Sequence, residues 1–196
     1  AEKKTDFSGN TPIKINDFNK AFKVKSLPIN IADTNLKSLA DTLTIGSSTK
    51  SGAALFSGSG GVTVNTAATI TGGNTATTEN STATFNYALS GSGPVTLDDT
   101  TSGATATIVF ATDNSATITN AIKGAATNEG TINITGGNKI FTGVIGNTNT
   151  VGSINVAASK TATVKNNVTA NTITLGTTTT GGTLVVASAD TPAAIP

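Results

Sequence analysis

This chain of 196 residues contains no Cys, His, Met, Trp, Gln or Arg, and a single Tyr. Each absence removes a chemistry. Without His or Cys there is no Ser-His-Asp triad, no thiol nucleophile, and no ligand set for zinc, haem or an iron–sulfur cluster. Without Arg all 12 basic residues are Lys, so bidentate clamping of a phosphate is excluded. Without Cys no disulfide framework braces the chain, which suits many bacterial surface proteins and also cytosol. No apolar run reaches the length of a membrane span, and Leu27-Pro28-Ile29-Asn30 is not an LPxTG-type sorting signal. These gaps speak against an enzyme and imply no cofactor and no metal.

What fills the chain is Thr (40), Gly (21), Asn (20) and Ser (16), about half of all positions. Ile, Val, Leu and Phe make up only 22%, just above the range of disordered chains, and the net charge is a mere +1. A globule of this length wants more large apolar side chains than that, whereas a thin, elongated core needs fewer per residue. The chain opens on Ala1-Glu2-Lys3-Lys4 without Met, as a mature chain after signal removal or an excised fragment does. With the Thr/Asn/Gly/Ser richness, this points to an extracellular protein of the cell surface.

Charge is unevenly distributed. Residues 1–50 hold 8 Lys and 5 acids, residues 51–122 hold 4 acids and no Lys, and the remainder returns to a small positive excess. No block forms a basic stripe with interleaved aromatics, so nucleic acid is not an expected partner.

Three regions emerge. Residues 1–41 carry Phe7, Phe18, Phe22, Pro12, Pro28 and most of the Lys. Ile13/Ile15, Phe22/Val24 and Ile29/Ile31 alternate like short strands, and Asp33–Ala40 offers an N-cap and one or two helical turns. This segment reads as a cap, or as a donor strand that fills a neighbouring subunit's groove. Its candidate assembly residues are Ile13, Ile15, Phe18, Phe22 and Val24. Residues 42–188 form a β-rich repeat domain, and 189–196 a tail.

Within the repeat domain, apolar-x-apolar triplets recur at Leu43/Ile45, Val62/Val64, Phe85/Tyr87, Ile108/Phe110, Ile132/Ile134, Ile154/Val156 and Ile173/Leu175. A fainter series, Val95/Leu97, Ile118, Ile140, Val164 and Leu184/Val186, runs out of phase with it. The period of both is near 22 residues, and Gly-rich spacers supply corners between strands. Alternation places i and i+2 inward and Thr or Asn outward. The expected fold is all-β, a β-solenoid or β-helix. A β-sandwich or jelly roll with strand exchange between subunits is the alternative, since its strand spacing gives a similar half-period.

Gly130–Gly136, Phe141–Asn147, Val151–Val156 and Val164–Gly176, within residues 91–186, resemble the passenger repeats of rickettsial-type autotransporter surface antigens. The resemblance implies a long β-helix displayed on the cell and adhesion to hosts. Residues 1–41 do not match that pattern, and no β-barrel translocator follows.

Remaining motifs are weighed against blander readings. Asp98-Asp99 is the only adjacent acidic pair, but no DxDxDG spacing surrounds it, so a turn explains it better than Ca²⁺. Asp98, Asp113 and Glu79 lack the Arg and aromatic platforms of a sugar-cleaving site. A Lys–Asn crosslink needs a buried Lys such as Lys139 or Lys165, and solvated Lys is far commoner. Thr-x-Thr recurs, and a flat Thr array would suit ice, yet the residues flanking the triplets form no regular column; strand propensity accounts for the Thr. The expected function is therefore a non-enzymatic extracellular structural protein forming a filament, surface layer or β-helical passenger by edge-to-edge β assembly. Its expected partner is itself. The alternative is an adhesin module whose partner is a host protein or glycan.

Overall fold

The computed structural model describes residues 22–24, 28–31, 42–47, 51–72, 80–99, 104–177 and 179–187. Among them the structure is all-β: parallel sheets stack into a β-solenoid of about 5 turns, about 24 residues apart. The first sheet holds β1 (Phe22–Val24), β3 (Leu43–Gly46), β6 (Ala68–Gly72), β9 (Val95–Asp99) and β12 (Ile122–Gly124). The second holds β2 (Pro28–Ile31), β4 (Ala53–Phe56), β7 (Ser81–Phe85), β10 (Ala106–Phe110), β13 (Glu129–Ile134), β15 (Val151–Val156) and β17 (Ala170–Leu175). The third holds β5 (Val62–Thr63), β8 (Leu89–Ser90), β11 (Ala116–Ile118), β14 (Asn138–Phe141), β16 (Thr161–Val164) and β18 (Thr183–Val186). Bridges Ile122–Ile145 and Ile145–Val168 carry the first sheet's ladder beyond β12.

Among the described residues every strand pairing is parallel. Parallel neighbours need a long crossover between them. Here the other two faces of each turn provide it, so no helix is required.

Alternation then sorts each strand into an inner and an outer set. In the second sheet one inner column runs Phe56, Phe85, Phe110, Ile134, Val156, Leu175, and its neighbour runs Ala54, Ala83, Ile108, Ile132, Ile154, Ile173. The first sheet adds Leu43, Ala68, Val95, Ile122 and Ile145, and the third adds Val62, Leu89, Ile118, Phe141 and Val164. Alanine supplies several core positions, at Ala54, Ala68, Ala83 and Ala106, where three converging faces leave little room. The Phe rings pack along the axis: Phe56 stacks on Phe85 at 4.7 Å, and Phe110 meets Phe141 edge-on at 5.5 Å. Such pairs contribute about 0.5–1.5 kcal/mol each beyond area burial.

Corners need backbone that turns sharply beside its neighbours. Gly46 has φ +79°, and a Cβ there would lie 2.1 Å from the Ser81 hydroxyl. That hydroxyl is itself buried, donating to Thr71 O at 2.6 Å and accepting from Gly52 N. Asparagine fastens successive turns: Asn120 Nδ2 donates to Val64 O (3.0 Å) and Gly93 O (2.7 Å), and Asn149 Nδ2 to Ala125 O (2.6 Å).

The solenoid, rather than the sandwich, is the fold. The triplet series needs correction, however. Leu43/Ile45 belongs to the first sheet and Val62/Val64 to the third turn face, so neither shares a column with Ile108/Phe110. Phe85 pairs with Phe110, which makes the inner pair Ala83/Phe85 and leaves Tyr87 beyond the strand. In the fainter series Val95/Leu97 lies in the first sheet and the rest in the third. There Ile140 points outward, and Lys139 and Phe141 fill the core. The expected helical turns at Asp33–Ala40 fall outside the described residues.

Candidate functional site

Of the five candidate assembly residues, Ile13, Ile15 and Phe18 fall outside the described residues. Phe22 and Val24 lie in β1, paired within the chain to Leu43 and Ile45. The β ladder therefore extends into the segment that sequence sets apart as a cap.

The acidic pair sits where β9 leaves the first sheet. Asp99 is a clasp: one carboxylate oxygen accepts from Ala106 N at 2.5 Å and the other from Gly130 N at 2.8 Å. Gly130, with φ +80°, admits this close approach, since a Cβ would sit 2.2 Å from Leu97. Asp98 is crowded. Burial raises its pKa, and the negative charges of Glu129 and Asp99 raise it further. Glu129 in turn accepts from Ala126 N at 2.9 Å. Among the described residues no three His, Cys, Asp or Glu side chains stand together as a metal site. Asp113 lies elsewhere, at the corner after β10, and Glu79 is outside the described residues.

That corner buries a lysine, against the expectation of solvated Lys. Lys139 occupies an inner position of β14, only 1% exposed, in a column with Ala116, Ala162 and Leu184. Its Nζ donates to Thr112 O (2.8 Å) and Asn114 O (2.6 Å), capping the carbonyls of the preceding turn. Burial lowers its pKa, opposed by nearby Asp113 and reinforced by Lys160. Asp113 accepts from Lys160 Nζ at 2.5 Å and Gly137 N at 2.9 Å, and these bonds hold its carboxyl below the usual range. Lys139 thus bonds backbone carbonyls rather than an Asn side chain, so the crosslinking arrangement is not assembled there. Sequence alone gave one usable signal for it: Lys139 stands two before Phe141, the spacing of an inward pair.

Two surfaces remain. At the C-terminal end, Ile173 (41% exposed), Leu175 (42%) and Val186 (69%) continue buried columns yet face solvent. Leu184, in the column of Ala162, is half-buried. Along the outside of the second sheet, Thr82, Thr107, Thr131, Ser153 and Thr172 fall in one straight column. Beside it run Thr84, Val109, Asn133, Asn155 and Thr174, where Asn155 Nδ2 donates to Asn133 Oδ1 at 2.8 Å. Sequence missed this regularity because its triplets were drawn from three different sheets. Among the described residues no helix is long and apolar enough to cross a membrane. Compared with known proteins, the chain matches no family model, no curated protein and no solved structure.

Proposed function

We propose that this chain is a non-enzymatic structural protein of the cell surface that assembles edge to edge through its β ladder, as a filament, surface layer or β-helical passenger. The observation that carries the reading is the terminal turn. Ile173, Leu175 and Val186 keep the register of a core yet are exposed, and no described strand stacks on the far side of β17 or β18. Each interior turn of a solenoid buries its apolar residues against two neighbours, so an apolar turn face left exposed calls for a further turn or partner to cover it. The outer edges of β17 and β18 also offer backbone N–H and C=O groups to a further parallel strand. A contact between that edge and the opposite end of a second copy is heterologous, so copies joined that way form an open series rather than a closed ring.

The extracellular setting rests on composition and on the resemblance to autotransporter passengers. The test is electron microscopy of the purified chain beside Val186→Asp. That substitution places a charge on a side chain already exposed, so the solenoid itself keeps its fold. Filaments or lattices for the parent chain and dispersed rods for the variant support the reading. Dispersed rods for both, with measurable binding to host cells, turn it over in favour of an adhesin module.

A further inference from the structure

The outer hydroxyls of the second sheet have no part in end-to-end assembly, and the register aligns them, although only Thr82/Thr84 and Thr172/Thr174 of the Thr-x-Thr pairs span its two outer columns. On five successive strands of the second sheet, β7, β10, β13, β15 and β17, the same outer position carries a hydroxyl: Thr82, Thr107, Thr131, Ser153 and Thr172. Pairing is unshifted from strand to strand, so the column is straight. Parallel strands lie about 4.8 Å apart and alternate residues about 6.6 Å apart along a strand. The two outer columns therefore form a grid with about those two repeats, roughly 19 Å long over the hydroxyl column.

These hydroxyls are uncommitted. Among the described residues none of the five makes a hydrogen bond within the chain. Hydroxyls elsewhere behave differently, being spent on neighbouring turns: Thr63 with Ser90 in the third sheet, Thr119 with Gly91 O and Thr142 with Ile118 O at corners. The two columns are also neutral, with Glu129 at the start of β13 lying outside them. Neither column contains a charged residue or an aromatic ring, although the chain has 12 Lys and 11 acids.

We propose that this outer face binds ice. A hydroxyl both donates and accepts, as water does, so it fits either proton arrangement of an ice surface. Thr is stiff at χ1, and the backbone ladder fixes its position, so little conformational freedom is lost on contact. Oxygen rows on the prism face of hexagonal ice repeat at distances close to both repeats of the grid. Uncharged columns match a neutral lattice, whereas a crystalline polysaccharide would call for aromatic platforms under its sugar rings. The inference goes beyond the assembly reading and holds for a single copy.

The experiment is slow freezing of a dilute solution on a cooled finger, with protein measured in the ice and in the remaining liquid. Three chains are compared: the parent, Thr107→Lys/Thr131→Lys on the second sheet, and Thr44→Lys/Thr69→Lys on the outside of the first. Circular dichroism verifies that each is folded. Uptake into ice by the parent and the first-sheet variant, with loss of uptake in the second-sheet variant, supports the proposal. Exclusion of the parent from ice overturns it whatever the variants do. So does equal uptake by the second-sheet variant, or exclusion from ice coupled with retention on crystalline cellulose or chitin.

Discussion

Ile132 and Ile173 stand in the same inner column of the same sheet, two turns apart, and their surroundings differ completely. Ile132 is fully buried between β10 and β15, whereas Ile173 is 41% exposed because β17 has a described neighbour on one side only. The residue type and the alternation are the same; what changes is the number of turns that flank it. In a solenoid, then, a side chain's contribution is set by its place in the stack as much as by its identity.

That contrast can be tested directly. Ile132→Ala should destabilise by about 2–5 kcal/mol, through lost transfer energy and an unfilled cavity, while Ile173→Ala should cost well under half of that. Urea unfolding monitored by circular dichroism reads both. Equal losses would mean that something already covers the terminal turn.

Gly130→Ala is expected to come next, at about 2 kcal/mol or more, since it forces a side chain into positive φ and against Leu97. At exposed Gly181, where an added Cβ meets nothing within 4 Å, the same substitution should be nearly silent. A matching loss at Gly181 would show the terminal turn to be as tightly packed as the middle.

Lys139 sharpens the comparison through pH. Its folded pKa is lowered, so between that value and the ordinary 10.5 the unfolded chain binds more protons, and stability rises with pH across the window. Lys139→Met should flatten this rise. It should also lower stability near neutral pH by about 1–3 kcal/mol if the two orphaned carbonyls outweigh the removed charge. Melting temperatures from pH 8 to 10.5, parent against variant, decide it.

The smallest effect belongs to Asp98. Its folded pKa is raised, so the folded chain binds more protons than the unfolded one from 3.8 up to the raised value, and stability increases on acidification through that window. Asp98→Asn should slightly stabilise the chain at neutral pH and remove that acid-side gain. An unchanged acid limb in the variant would assign the gain to another carboxylate.

Much of this architecture is legible in the sequence from Ile108 onward. There the second sheet alternates Ile/Phe, Ile/Ile, Ile/Val and Ile/Leu pairs, and successive inner residues Phe110, Ile134, Val156 and Leu175 lie 24, 22 and 19 positions apart. Before that the pattern blurs for two physical reasons. Phe56 and Phe85 are 29 positions apart, so a longer connection breaks the period. Ala54, Ala68 and Ala83 take core positions that a search for large apolar residues passes over. Lys139 hides by the opposite disguise, a charged residue on the inside whose neighbour Ile140 looks like the core and points out. The hydroxyl column was invisible for a related reason: Thr is common everywhere in this chain, and only the strand register separates the aligned ones from the rest.

The side-chain ties between turns also bear on how the molecule carries load. In a parallel stack the backbone hydrogen bonds run along the long axis, so tension applied end to end opens them one turn at a time, like a zip. Asn120 resists this, because one amide holds carbonyls of two earlier turns, at Val64 and Gly93. The Lys160–Asp113 pair likewise reaches across an intervening turn. Turns tied in this way must part together, so a single molecule stretched from its ends should yield first at the terminal turn and in a larger step at the centre.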